Sequence, residues 1–129
     1  LCDDIRKEAN GKEILIGVYH DVLICPSFPA QLMQLHFRIS LRLERTDFKL
    51  VNIIIRGPDE KDLLSTSGPI PQQRTEDQTI FDIGVVGVTF PSTGAYSVLL
   101  GLDRKPEVVA KFSLRLPEND EERQRASLR

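Results

Sequence analysis

The chain has 129 residues, with 17 basic and 19 acidic side chains and a formal net charge of −2 at pH 7. That length suits one domain with its own core, and the near balance of charge argues against a phosphate-binding surface. Hydrophobic residues make up 40 % and charged residues 28 %, a globular composition and not a disordered one.

The opening segment, Leu1 to Glu8, reads as a first strand or an extended arm. Asn10-Gly11 follows, the strongest turn dipeptide in the chain, and predicts a hairpin-like reversal. Glu13 to Cys25 is dense in β-branched and aromatic residues, with Ile14, Ile16, Val18, Val22 and Ile24 on one parity and Leu15, Tyr19 and Leu23 on the other. A run apolar on both parities predicts a central strand, bent at Gly17 or near His20-Asp21. After Pro26-Ser27-Phe28-Pro29, a single helical turn is expected over Ala30 to Met33.

Gln34 to Glu44 alternates most cleanly. Leu35, Phe37, Ile39, Leu41 and Leu43 point inward, and His36, Arg38, Ser40, Arg42 and Glu44 outward. Phe48 to Arg56 is another strand, and Leu63-Leu64 a short edge strand. Ser65 to Gln78 is polar and turn-rich and is expected to be a loop. Thr79 to Phe90 resumes β character, with Gly84 and Gly87 hinting at a bulge or a close backbone approach. Thr89 to Leu116 reads as a turn at Pro91–Gly94, a strand with Tyr96, Val98, Leu100 and Leu102 on one face, a turn at Asp103–Pro106, and a closing strand with Ala110, Phe112, Leu114 and Leu116 inward. A turn, a glycine, one residue and then Tyr96 at a strand start looks like the tyrosine corner of Greek-key sandwiches, whose hydroxyl bonds back to the preceding backbone. The plainer reading of Tyr96 is a strand tyrosine with its ring in the core.

These elements predict an all-β fold, an immunoglobulin-like antiparallel β-sandwich of about seven to eight strands, with a small closed barrel as the alternative. The sandwich is expected over residues 1–116, followed by a charged, flexible or marginally helical tail over 117–129.

Chemistry is sparse. Cys2 and Cys25 are too few for a disulfide scaffold, and two buried free thiols are expected. Cys2, Cys25, His20 and His36 lack the short ligand spacings of metal sites, and Asp59-Glu60-Lys61-Asp62 lacks the spacing of a calcium loop. No serine sits in a nucleophile elbow, and no glycine-rich loop is placed to hold phosphate. No apolar run reaches the roughly 20 residues that span a bilayer, and no export-signal pattern opens the chain, so the cytoplasm is the expected compartment. Binding surfaces remain. Arg38 and Arg42, beside His36, form a small basic stripe. Val51, Asn52, Ile53, Ile54 and Ile55 hold more apolar side chains than one wet face allows, so a neighbouring segment or a partner covers them, or the strand adds to a partner's sheet.

The string from Leu1 to Leu35, with its LCDD start, Asn-Gly turn, LIGVY strand and Phe-Pro, resembles a family of short uncharacterised bacterial proteins. Phe90 to Asp103, FPSTGAYSVLLGLD, is similar to that family's second half. The resemblance implies a bacterial or phage source and a sandwich-like fold, and it assigns no site residue. The expected function is therefore non-enzymatic, without a cofactor. It is protein–protein interaction or self-association through Arg38, Arg42, Val51, Ile53, Ile54, Ile55 and the Ser65–Gln78 loop, with no nucleic-acid or membrane partner. The alternative is a small-ligand or metal sensor using His20, His36 and the cysteines.

Overall fold

The computed structural model describes residues 1–9, 13–18, 21–42, 50–68, 72–74, 78–103 and 105–127. In chain order the strands are β1 (Cys2–Lys7), β2 (Glu13–Val18), β3 (Val22–Ile24), β4 (Ala30–Leu41), β5 (Val51–Arg56), β6 (Asp62–Gly68), β7 (Gln72–Arg74), β8 (Thr79–Phe90), β9 (Gly94–Leu102) and β10 (Glu107–Arg115), followed by a helix α1 (Asp120–Ser127). They build two five-stranded sheets, β2-β1-β4-β8-β7 and β3-β10-β9-β5-β6. The all-β sandwich expected from the turn spacing is what the chain forms. Eight strands have six or more residues, and two of three residues, β3 and β7, are too short to announce themselves by pattern. One pairing departs from the antiparallel expectation, since β3 runs parallel to β10.

The core lies between the sheets. Leu35, Phe37, Phe81, Ile83 and Phe90 come from one side, and Val51, Ile53, Ile55, Tyr96, Val98 and Phe112 from the other. The alternation of β4 holds, with Leu35 and Phe37 buried and Ile39 and Leu41 packed against them; Leu43 lies outside the described residues. The helical turn expected at Ala30 is instead the start of β4, because Ala30 pairs with Phe90 and extends the β4–β8 ladder. Both long strands change the side they show to the core at the same place. Ala30 and Val88 are inward on one side of it, and Leu35 and Ile83 on the other, while Met33 and Val86 stand in solvent. Gly87, at φ 68°, supplies the left-handed residue this bend needs.

Tyr96 makes the expected corner. Its hydroxyl donates to the Ser92 carbonyl at 2.7 Å. Its buried ring meets Phe90 edge-on at 5.1 Å and stacks on Phe112 at 5.7 Å, so both readings of this residue hold. Gly94 is essential to the turn. Its φ is 133°, and a Cβ there would lie 2.9 Å from Cγ of Pro58.

Two inward assignments in the last hairpin fail. Ala110 is exposed although it keeps its register opposite Val98, just after a register shift from Val108. Leu116 lies past the end of β10 and is 48 % exposed. The run from Glu13 to Cys25 is not one central strand. The chain switches sheets between Val18 and Val22, so β2 and β3 each become an edge. The reversal expected at Asn10-Gly11, itself outside the described residues, agrees with the antiparallel pairing of β1 with β2.

The charged tail folds into α1, tied to the end of β10. Asn119 Oδ1 accepts from the Glu122 N–H at 2.9 Å, a helix cap. Arg115 grips the Glu122 carboxylate with two bonds of 2.8 Å. Ala126 is the buried residue of the helix.

Candidate functional site

The structure redistributes the residues expected to form a contact surface. Val51, Ile53 and Ile55 are 1 % exposed or less and belong to the core. β5 is paired on both sides, with β6 and β9, so it offers no edge to a partner. Ile54 points outward opposite Leu99 of β9, yet it is only 9 % exposed. The apolar surplus of this strand is covered within the chain: one face fills the core, and Ile54 on the other is almost wholly shielded.

The basic stripe is likewise broken up. Arg38 spans to its cross-strand neighbour Asp82 with bonds of 2.7 and 2.8 Å, and also reaches Glu13 at 2.6 Å. The hydrogen bonds it donates to the Asp82 carboxylate hold its guanidinium more firmly protonated than usual, against the opposing effect of desolvation. His36 lies against its cross-strand neighbour Gly84, where a Cβ would meet Nε2 at 2.9 Å. This is the close approach the glycines hinted at. Arg42 is exposed just beyond β4. Of the expected Ser65–Gln78 loop, seven of the eight described residues are strand, since Ser65 to Gly68 complete β6 and Gln72 to Arg74 form β7. Its remaining residues 69–71 and 75–77 lie outside the described ones.

Cys2 and Cys25 are buried thiols outside any disulfide, as expected; Cys2 opens β1 and Cys25 follows the end of β3. Cys2 pairs with His36 across β1 and β4. His20 is outside the described residues. Among the described residues no group of three or more His, Cys, Asp or Glu is placed to hold a metal ion.

Among the described residues, two features stand out that a ligand or partner can reach. One is a pair of adjoining hollows under α1. The first, about 210 Å³, is lined by Cys25, Pro26, Pro29, Ala30, Leu32 and Ala126 among others. The second, about 380 Å³, is walled by Pro26, Leu116, Pro117 and Arg123. The helix above them depends on charge. The Arg115 hydrogen bonds and the Glu118 N–H hold the Glu122 carboxyl at about 2, well below its ordinary value.

The other feature is β2. Of its six residues, Glu13-Ile14-Leu15-Ile16-Gly17-Val18, only the first is charged. It pairs with β1 on one side, and among the described residues no strand pairs with the other. Leu15 is 42 % exposed. Native edges are usually blunted by charge, proline, bulges or shortness; apart from Glu13, this one is not. Reading the run as central missed it. The available signal was the polar His20-Asp21 pair in the sequence, between the end of β2 at Val18 and the start of β3 at Val22.

A search of curated proteins and a search of solved structures found no match. A comparison with protein families matches residues 1–128, helix α1 included, to a family of unknown function, DUF6941. The chain belongs to that family.

Proposed function

We propose that the protein is a non-enzymatic binding module, an immunoglobulin-like sandwich that acts through protein–protein contact at the β2 edge. The architecture is supported by strand order. With β1 as A, the order β1-β4-β8-β7 facing β10-β9-β5-β6 follows A-B-E-D facing G-F-C-C′. The tyrosine corner stands at the start of β9, where that fold carries it on strand F. β2 and β3 are additions to the outer flanks of that frame.

The observation that carries the functional reading is the outer side of β2, which no strand pairs among the described residues, in a run whose one charged residue is Glu13. Backbone groups there supply affinity to an incoming strand, and the alternating side chains supply specificity. The test is a photoreactive residue at position 15, with the same residue at Met33, 78 % exposed, as a control. Light-dependent coupling to a protein from position 15, well above that from position 33, is expected in cells that produce the chain. Equal or absent coupling at position 15 overturns the reading.

A further inference from the structure

We propose that β2 pairs with β2 of a second copy of this chain, antiparallel about a two-fold axis, joining the two outer sheets into one. This rests on the reading of β2 as the contact edge and names its partner. Among the described residues the sandwich has four sheet edges, β2, β7, β3 and β6. β3 and β7 are three residues long, too short to template a ladder. β6 ends in Ser65-Thr66-Ser67-Gly68, with the three hydroxyl side chains exposed and nothing apolar beyond Leu64 to bury. β2 combines length with Ile14, Leu15, Ile16 and Val18.

Its sequence is compatible with itself. Opposed residues in an antiparallel ladder alternate between hydrogen-bonded and non-bonded pairs, so a two-fold axis must pass between a residue and its own copy. An axis at Leu15, the described apolar side chain that is already exposed, sets Leu15 beside its copy, Ile14 beside Ile16 and Glu13 beside Gly17. No like charges meet in this register. The one charge of the strand, Glu13, is already drawn to Arg38 of its own chain at 2.6 Å. A six-residue edge contact lies at the small end of protein interfaces, so the dimer is weak, with a dissociation constant of roughly 1–100 µM.

The test is light scattering or sedimentation of the full chain over a concentration series spanning that constant. Concentration-dependent dimerisation is expected. Leu15→Lys and Leu15→Glu each place like charges directly across the axis and are expected to weaken the dimer roughly tenfold or more. An equimolar mixture of the two variants sets Lys against Glu and is expected to dimerise again. Neither a damaged fold nor a foreign-strand site gives that rescue. Thermal melts check folding, and if neither variant folds the wild-type series decides. A wild-type monomer throughout, or folded charge variants that dimerise like wild type, overturns the homodimer. If position 15 then still couples to a different protein, the contact edge stands without the self-pairing. If it couples to nothing, both readings fall.

Discussion

The hydroxyl of Tyr96 isolates one hydrogen bond in an otherwise apolar corner. Replacing Tyr96 with Phe keeps the ring where it meets Phe90 and Phe112 and removes only the 2.7 Å bond to the Ser92 carbonyl. Ser92 is exposed, so its carbonyl regains water and no buried acceptor is orphaned. The loss is then the net value of one intramolecular hydrogen bond, about 1 kcal/mol. Average unfolding entropy for a chain of 129 residues converts that to a fall in melting temperature of about 4 °C. Tyr96→Ala also empties the ring's place against Phe90 and Phe112 and is expected to cost about 4–5 kcal/mol. Urea unfolding of the three proteins, followed by fluorescence or circular dichroism with the slope unchanged, gives both numbers. Two results refute the reasoning. If the Phe variant is as stable as wild type, the bond only exchanges with water. If it is as damaged as the Ala variant, the hydroxyl and not the ring organises the core.

Other expectations concern helix, strand and turn. Glu122 has its carboxyl held at about 2 in the folded chain against an ordinary 4.5. The helix attachment it provides is therefore complete above about pH 4.5 and is lost as the pH falls toward 2. Hydrogen exchange of the α1 amides is expected to quicken across that window, and Glu122→Gln to exchange fast at neutral pH already. Ile54→Lys puts a charge where the side chain is almost wholly shielded and is expected to destabilise by about 1–3 kcal/mol. It leaves the association state unchanged, so urea unfolding and light scattering together separate a packing residue from a contact residue. Gly94→Ala meets both a positive φ and Cγ of Pro58, and thermal unfolding is expected to show a loss of about 1–3 kcal/mol.

Local chemistry was legible and pairing was not. The alternation from Leu35 to Leu41 and the turn before Tyr96 are properties of neighbours in sequence, and both survive in the fold. Whether a strand lies inside a sheet or at its edge is decided by segments far along the chain. Ile53 and Leu15 sit in similar apolar runs, yet among the described residues β5 has two partner strands and β2 has one. Arg38 looked like a surface cation because nothing local shows that Asp82 falls beside it across the β4–β8 ladder. Ser65 to Gly68 looked like loop because a polar edge strand takes its backbone partners from β5 and needs no hydrophobic period of its own.

The parallel pairing of β3 with β10 also orders events in time. Val22, Leu23 and Ile24 meet Ser113, Leu114 and Arg115, about ninety residues later in the chain. The Cys25 N–H closes on the Arg115 carbonyl at 2.9 Å, and the Ser113 N–H on the Asp21 carbonyl at 2.8 Å. Among the described residues, a chain made from its N-terminus has no partner for β3 until β10, the last of the strands, is available. Contacts this distant in sequence place the protein among slow folders, in the millisecond-to-second class. During synthesis, the apolar run from Glu13 to Cys25 therefore waits unpaired at its C-terminal half. A chain that stops between Leu102 and Glu107 lacks β10, so β3 and one side of β9 are left without their partner.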